Sequence, residues 1–209
     1  MTSDSGSPSS TWSEGEDVTE RLGILGGTFD PVHNGHLLLA RAVLEGLPLD
    51  RVLFVPAADP PHKDDHVAGA IDRLEMVRLA VDGMSNFEVC GIELDRSGPS
   101  YSVDTLRQLR AEHTDSDLYL IIGADNVADL SSWHDPEGIL ELATVVSGTR
   151  VESAGPDDLT FVDRIRHLST PTYDISSTDI RQRLQRGLSI RCLVPEAVER
   201  YVAQQGLYL

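Results

Sequence analysis

The chain of 209 residues carries 34 Asp and Glu against 17 Lys and Arg, a formal net charge of -17, and is 40% hydrophobic. This length and composition are typical of one globular domain with its own core, and no run of about 20 apolar residues predicts a membrane span. The negative charge disfavours nucleic acids and anionic membranes as partners, but a local cluster of His, Arg and backbone N–H groups can still bind a small phosphorylated molecule.

The first twenty residues contain five acidic residues, no Lys or Arg and no apolar segment. This composition predicts a disordered acidic tail over residues 1–20 and not a signal peptide. The two cysteines, Cys90 and Cys192, lie far apart and without a C-x-x-C partner. They predict neither a disulfide framework nor a zinc ribbon, and they favour a reducing cytoplasm.

Residues 21–209 alternate between apolar runs, which predict buried strands, and stretches with apolar residues at helical spacing. The predicted strands cover residues 22–25, 52–55, 87–94, 118–122 and 144–147, and the predicted helices cover 37–46, 71–82, 103–113 and 136–142. Residues 150–158 predict an exposed loop, and two further helices open at Ser176 and Pro195. The pattern predicts a single α/β domain, a Rossmann-like doubly wound parallel sheet with a small C-terminal helical part, whose ligands bind beyond the carboxyl ends of the strands.

The segment GGTFDPVHNGH, residues 26–36, follows the first predicted strand and leads into the first predicted helix. Gly26 and Gly27 let the backbone approach an anion closely, and free N–H groups at the helix start point toward it. His33 and His36 add donors that can carry positive charge. The arrangement therefore predicts a nucleotide phosphate site, whereas either histidine alone would as readily be a capping or surface residue.

Zinc is the alternative ligand for His33 and His36, since histidines three residues apart can share a metal. A zinc site needs a third and usually a fourth ligand, and no Cys or carboxylate is spaced to supply one. His62 and His66 lie in a Pro- and Asp-rich loop without a metal-binding pattern, where Lys63 is also cation-capable. The sequence therefore favours phosphate and predicts no metal ligand from the protein.

A second candidate for anion binding is the segment Ser176 to Arg181, at the start of a predicted helix. Ser176 alone is an ordinary helix cap, and with Asp179 it predicts a capping box. Consecutive hydroxyls at Ser176, Ser177 and Thr178, free N–H groups and Arg181 one turn later could together hold a di- or triphosphate.

Three further positions carry both a functional and a structural interpretation. Asp125 follows the fourth strand and could accept from ribose hydroxyls or simply cap a helix. Trp133 could stack on a flat heterocycle or cover the sheet edge. Residues 101–105 could supply hydroxyl donors, or Ser102 could be a plain cap. The absence of G-x-x-x-x-G-K-[ST] and G-x-G-x-x-G patterns disfavours a P-loop NTPase and an NAD-dependent dehydrogenase.

GGTFDPVHNGH with ISSTDIR (175–181) resembles the paired signatures of the nucleotidyltransferase superfamily that carries an H-x-G-H motif. Within it the chain is similar to bacterial nicotinate-nucleotide adenylyltransferases, through PPHK (60–63), YSVDTL (101–106), IGADN (122–126), Trp133 and SIRCLVPEAVERYVAQQGLY (189–208). These motifs extend across most of residues 21–209. The family often has a basic R-P-G stretch after the fifth strand, where this chain has Ser147-Gly148-Thr149-Arg150.

The resemblance implies that ATP and nicotinate mononucleotide react to give nicotinate adenine dinucleotide and pyrophosphate, in NAD biosynthesis. It implies catalytic roles for His33, His36 and Arg181, and Mg²⁺ carried mainly by substrate phosphates. The implied ATP contacts are Gly26, Gly27, Thr28, Phe29, Asp125, Ser176, Ser177 and Thr178. The implied acceptor contacts are Tyr101, Thr105, Trp133, His62 and Lys63.

Two other functions stay open from the sequence. A sister transferase would use nicotinamide mononucleotide or phosphopantetheine as acceptor, although phosphopantetheine transferases typically carry T-x-G-H at residues 33–36. A non-catalytic nucleotide-binding protein would keep the pocket alone, but both histidines and Arg181 are present here. A homo-oligomer is possible, and no unusual apolar stripe indicates one.

Overall fold

Six parallel strands form the single sheet of the computed structural model, which describes residues 19–60, 68–148, 161–171 and 173–209. The strands are β1 (Glu20–Gly27), β2 (Arg51–Pro56), β3 (Phe87–Val89), β4 (Ser116–Ile122), β5 (Thr144–Gly148) and β6 (Arg166–Leu168). Their order is β3-β2-β1-β4-β5-β6 and every neighbouring pair is parallel. The order reverses between β1 and β4, where a crevice opens at the carboxyl edge. The predicted fold class is confirmed.

Seven α-helices flank this sheet in the described part of the chain: α1 (Asn34–Gly46), α2 (Ala70–Val81), α3 (Ser102–Glu112), α4 (Asp125–Asp129), α5 (Pro136–Leu142), α6 (Ser177–Gln185) and α7 (Glu196–Gln205). Side chains of the strands alternate between two cores. Val52 and Phe54 pack with α1, α2, α6 and α7, whereas Leu53 and Val55 pack with α3, α4 and α5. The two small C-terminal helices therefore lie on the same face as the helix that follows β1. None of the described helices is long and apolar enough to cross a membrane.

The strand predicted for residues 87–94 is wrong beyond Val89. After β3 the chain makes one more bond to β2, from the N–H of Cys90 to the carbonyl of Phe54, and then turns, with the Leu94 N–H bonded to the Gly91 carbonyl. Ile92 lies on this turn, outside the sheet pairing, and is buried in the core on the α3 side of the sheet. An apolar run near an edge strand can therefore be buried without being extended.

Strand β6 was not predicted, because its three residues, Arg166 to Leu168, are too short and polar to give a strand pattern. They form the edge of the sheet beside β5. At the other end of the chain, β1 begins at Glu20, so this residue belongs to the domain and not to the predicted tail. Residues 1–18 and the predicted loop at 150–158 lie outside the described residues.

Several helix starts differ by one residue from the sequence-based alternatives. Tyr101, and not Ser102, is the cap of α3, and Ala124, and not Asp125, is the cap of α4. Pro195 precedes the first residue of α7 and is not within the first turn. The cap at Ser176 is confirmed, since its Oγ accepts from the Asp179 N–H at 3.1 Å.

A polar cluster closes the sheet at the edge where β1, β2 and β4 begin. Arg51 donates to Glu20 at 2.9 Å and to Glu88 at 2.7 Å, and the Ser116 hydroxyl donates to Glu20 at 2.9 Å. Burial raises the pKa of Glu20, but these hydrogen bonds and the nearby positive charge of Arg51 outweigh it and leave that pKa below its usual value. The cluster thus binds the amino end of the domain to its neighbouring strands.

Glu20→Gln should lower the free energy of unfolding at neutral pH by up to about 1 kcal/mol, because a partly exposed, screened ion pair contributes little more. A carboxylate with a lowered folded-state pKa stabilises the fold above its unfolded value of 4.5, and this contribution is lost as pH falls through the folded pKa. The difference between variant and native chain should therefore shrink below pH 4.5 in urea unfolding.

Glu75→Gln is the matched control, since Glu75 forms an exposed pair with Arg78 on α2. Its effect should stay within about 0.5 kcal/mol at both pH values. An equal difference for Glu20→Gln at neutral and acidic pH would show that its charge is not the stabilising feature.

Candidate active site

The loop after β1 combines an open backbone with a buried aromatic anchor. No atom lies within 4 Å of the space that a side chain on Gly26 would occupy, so a ligand can approach the backbone there. A side chain on Gly27 would instead lie 3.1 Å from the ring of Phe29. Phe29 has a positive φ of 52° and is only 2% exposed. The turn therefore packs Phe29 inward and leaves Gly26 at the surface of the crevice.

His33 and His36 lie together at the start of α1. Their rings are stacked with centroids 3.6 Å apart, and the Phe29 ring meets His36 edge-on at 4.9 Å. The main-chain N–H of His33 donates to His36 Nδ1 at 3.2 Å, so the proton of the neutral His36 ring is on Nε2. A side chain on Gly35 would lie 3.0 Å from the His33 ring. The glycine between the histidines thus makes the stacked arrangement possible.

The carboxyl-terminal part of the chain holds this helix start in place. The main-chain N–H of Asn34 donates to the Leu193 carbonyl and its side chain donates to the Cys192 carbonyl, both at 2.8 Å. These two bonds join segments that are more than 150 residues apart in the sequence. The segment before α7 is therefore part of the scaffold that orients the histidines.

The start of α6 reaches the same loop, so the two predicted anion sites lie together. The Ser177 hydroxyl donates to the Pro31 carbonyl at 2.9 Å, and Arg181 Nη1 donates to the Asp30 carbonyl at 2.8 Å. Arg181 Nη2 also lies 3.3 Å from the Thr178 hydroxyl. A guanidinium, hydroxyls and two imidazoles consequently converge around residues 26–36.

A buried polar network lies beneath this loop. Arg73 on α2 is 0% exposed and donates to main-chain carbonyls in the loops that follow β1 and β2. Its acceptors are the carbonyls of Thr28, Ala57, Ala58 and Ala68. Burial lowers the pKa of Arg73, and the negative charge of Asp30 opposes that shift. One side chain thus fixes the loop after β1 relative to the loop after β2.

The opposite side of the crevice contains the predicted aromatic residues. The Tyr101 ring stacks on His134 with centroids 4.3 Å apart, and Trp133 is half-buried against the core beneath α3 and α5. Thr105 is only 3% exposed, and its hydroxyl bonds to Glu93 and accepts from Arg96 at 3.1 Å. Thr105 therefore supports the Tyr101 turn from below.

Asp125 is exposed at the first residue of α4, directly beyond β4. Its carboxylate accepts from the Asn126 side chain at 3.2 Å and lies over Gly123, where a side chain would require the carboxylate to move. Thr28 is half-buried in the loop after β1. Ser147 and Gly148 end β5 at the same edge of the sheet.

Five residues singled out from the sequence lie outside the described residues: His62, Lys63, His66, Thr149 and Arg150. Within the described ranges no group of three or more His, Cys, Asp or Glu side chains is arranged to hold a metal ion. The converging donors are imidazoles, hydroxyls and a guanidinium, which suit phosphate oxygens.

Sequence analysis missed several residues that build the site. Arg73 is one, because it fixes the loop after β1 through the Thr28 carbonyl. Tyr208, which sequence analysis included only as the last residue of the 189–208 motif, is another, because its hydroxyl donates to Asp30 Oδ1 at 2.7 Å.

Asp30 and Gly35 lie within the GGTFDPVHNGH segment. Asp30 lies between the glycines and the histidines and Gly35 lies between the two histidines, and these positions could have marked both as site residues. His134 directly follows Trp133 and could have been included with it.

Comparisons with known proteins show the family and the fold. The Cytidylyltransferase-like family matches residues 24–183. The chain is 45% identical over 193 residues to a probable nicotinate-nucleotide adenylyltransferase of Geobacillus thermodenitrificans, covering 90% of this chain and 86% of the relative. It is 44% identical over 194 residues to a probable nicotinate-nucleotide adenylyltransferase of Dictyoglomus thermophilum, covering 90% of this chain and all of the relative.

A solved structure has the same fold. The Plasmodium falciparum nicotinic acid mononucleotide adenylyltransferase complexed with NaAD aligns with a TM-score of 0.74 and 17% identity, over 90% of this chain and 97% of that chain. At this identity the likeness supports the fold, whereas the sequence relatives, at more than 40% identity, establish the family. Family match, relatives and site geometry agree, and the chain belongs to the nicotinate-nucleotide adenylyltransferases.

Proposed function

We propose that this protein transfers the adenylyl group of ATP to nicotinate mononucleotide, forming nicotinate adenine dinucleotide and pyrophosphate in NAD biosynthesis. The observation that carries the proposal is the hydrogen bonding of Arg181 and Ser177 to the Asp30–Pro31 segment, which brings α6 to the loop that leads into His33 and His36. A single polyphosphate could contact all of these groups.

The acceptor phosphate is ionised at neutral pH, so its attacking oxygen needs no general base. The reaction requires alignment of that oxygen with the α-phosphorus of ATP and stabilisation of the charge that develops on the phosphates. We assign the catalytic roles to His33, His36 and Arg181. His36 suits charge stabilisation because its Nδ1 already accepts a main-chain hydrogen bond, so Nε2 is its donor.

The remaining ATP contacts come from both anion-binding segments. Gly26 offers an accessible backbone, and Ser177 and Thr178 lie in the first turn of α6, where unpaired N–H groups favour anions. The other proposed contacts are Gly27, Thr28, Phe29, Asp125 and Ser176. Asp125 is exposed beyond β4, as a carboxylate that accepts from ribose hydroxyls would have to be.

The pyridine ring of the acceptor would lie against the aromatic side of the crevice. Trp133 and Tyr101 offer flat surfaces there, and Thr105 acts indirectly because its hydroxyl is buried against Glu93. His62 and Lys63 remain proposed contacts to the acceptor phosphate.

Mg²⁺ is the proposed cofactor, bound mainly by phosphate oxygens of ATP and water, as is common for this ion. Its charge would offset the charge that accumulates on the departing pyrophosphate. We propose the cytoplasm as the compartment, because Cys90 and Cys192 are both free thiols. The net charge of -17 supports small-molecule substrates over nucleic acid.

The assay that tests the activity measures pyrophosphate release from ATP and Mg²⁺ with nicotinate mononucleotide, nicotinamide mononucleotide or phosphopantetheine as acceptor. We expect the nicotinate form to give the highest kcat/KM. Preference for another acceptor would assign the chain to a sister reaction, and nucleotide binding without pyrophosphate release would indicate a non-catalytic protein.

His36→Ala should lower kcat by about 10²–10³-fold, as expected when an aligned donor to a charged transition state is removed. Steady-state kinetics together with a thermal melt separate this loss from unfolding. His113→Ala is the control, since His113 lies near Glu20 at the opposite edge of the sheet. Near-native turnover of His36→Ala would remove His36 from the mechanism.

Arg181→Ala should weaken ATP binding by about 1.5–3 kcal/mol, the usual contribution of a hydrogen bond to a charged group. The KM for ATP should rise while the KM for the mononucleotide changes little. Arg200→Ala serves as control, because Arg200 only pairs with Glu196 on the exposed face of α7. Unchanged ATP kinetics for Arg181→Ala would contradict its assignment.

Trp133→Ala should raise the KM for the mononucleotide by about tenfold and leave the KM for ATP unchanged, since a lost stacking surface costs about 1–3 kcal/mol. Trp133→Phe keeps a flat ring and should lose less. A rise confined to the KM for ATP would instead place adenine against this side chain.

A further inference from the structure

The chain turns back after α7 and places Tyr208 beneath the loop after β1. Gly206 ends the helix with φ 62°, and the Leu207 N–H bonds to the Val202 carbonyl at 3.1 Å. Tyr208 is then only 4% exposed, and its hydroxyl donates to Asp30 Oδ1 at 2.7 Å. The end of the chain and the GGTFDPVHNGH segment are thus joined by a buried hydrogen bond.

The conformation of Tyr208 indicates that this contact is specific. Its φ is 68°, a left-handed value that is costly for a bulky residue and persists only where the surroundings impose it. Burial, and then the hydrogen bond to Asp30, raises the pKa of the Tyr208 hydroxyl above its usual range, so it remains a donor. The backbone is therefore strained at the point that delivers this donor to the carboxylate.

Asp30 connects Tyr208 to the proposed catalytic arginine. Its side chain is buried at 2% exposure, and Oδ1 also accepts from the Ala68 N–H at 3.2 Å. The Asp30 carbonyl accepts from Arg181 Nη1 at 2.8 Å, and Oδ2 lies 3.9 Å from the same nitrogen. The orientation of one residue therefore sets where the Arg181 guanidinium is held.

Charge balance around Asp30 makes the Tyr208 hydroxyl relevant to ATP binding. A buried carboxylate that loses a hydrogen-bond donor is destabilised until another donor replaces it. The nearby cation is Arg181, whose Nη1 lies 3.9 Å from Asp30 Oδ2 and could shift toward the carboxylate. Asp30 Oδ1 accepts from the Tyr208 hydroxyl and the Ala68 N–H. Arg181 then bonds to the Asp30 main-chain carbonyl, and its remaining N–H groups are available to bind phosphates. The hydroxyl would thus limit competition between the carboxylate and the nucleotide for Arg181.

We propose that Tyr208 is a positioning residue for ATP, acting through Asp30 on Arg181 and the loop after β1. The proposal rests on the proposed role of Arg181 at the ATP phosphates. It assigns to the end of the chain a function in phosphate binding beyond packing of the core.

Tyr208→Phe is the direct test, because it keeps the ring and removes only the donor. We expect the KM for ATP to rise about tenfold and the KM for nicotinate mononucleotide to stay unchanged. The reason is that the lost hydrogen bond to the Asp30 carboxylate helps to hold the Arg181 guanidinium in position. Tyr201→Phe is the matched control. The Tyr201 hydroxyl on α7 also donates to a carboxylate, Asp72 on α2 at 2.9 Å, but away from the loop.

A purely structural role predicts that both variants lower the thermal melting temperature and that neither changes the ratio of the two KM values. That result would overturn the proposal. An ATP-specific defect in Tyr208→Phe, absent from Tyr201→Phe at equal folded fraction, would support it.

Tyr208→Phe is also combined with Arg181→Ala. If Tyr208 acts through Arg181, Tyr208→Phe should add little to the ATP defect of Arg181→Ala. If Arg181→Ala shows an ATP defect and Tyr208→Phe has normal kinetics, the positioning role of Tyr208 is refuted while the assignment of Arg181 stands. If Arg181→Ala itself has normal ATP kinetics, the assignment of Arg181 to the ATP site is refuted. Full additivity of two defects would show that Tyr208 acts by another route and would also overturn the proposal.

Asp30→Asn tests the same link if Tyr208→Phe does not fold. It keeps the side-chain shape and an acceptor for Tyr208 but removes the charge beside Arg181. Because a neutral amide does not compete with the nucleotide for Arg181, we expect the KM for ATP to stay at or below its native value. An ATP-specific rise in KM for Asp30→Asn would contradict the proposed competition between the Asp30 carboxylate and the nucleotide.

Discussion

The site depends on the attachment of α6 to the loop after β1, through hydrogen bonds from Ser177 to the Pro31 carbonyl and from Arg181 to the Asp30 carbonyl. These bonds join segments about 150 residues apart and hold a guanidinium on the loop that leads into the histidines of α1. Without them the two anion-binding segments would be separate helix starts and could not contact one polyphosphate together.

The sheet provides the frame for this attachment. β1 lies at the centre of the order β3-β2-β1-β4-β5-β6, so the loop that follows it opens at the switch in strand order. Arg73 then fixes the loops after β1 and β2 to each other from the buried side. Alignment of reacting groups requires such rigidity, because adenylyl transfer needs positioning and charge stabilisation more than acid–base chemistry.

Local pattern was sufficient to predict the fold class and the candidate phosphate segments. The alternation of apolar runs and helical spacing predicted five of the six strands, and the glycines and histidines of residues 26–36 predicted an anion site from local chemistry. What local pattern lacked was information on tertiary burial. Within the apolar run at 87–94, Ile92 is buried although it lies outside the sheet. The short strand β6 is identified only by its pairing with β5. The roles of Arg73 and Tyr208 were not predicted, since the Arg73 contact to Thr28 and the Tyr208 contact to Asp30 come from segments far away in the sequence.

The central claim is that His36 and Arg181 contact one polyphosphate at the carboxyl edge of the sheet. A crystal structure of the protein with Mg²⁺ and a non-hydrolysable ATP analogue tests it most directly. The account predicts phosphate oxygens within hydrogen-bond distance of both side chains, with the ion coordinated by those oxygens and water. A triphosphate bound elsewhere, or a metal ion coordinated by both imidazoles, would contradict it.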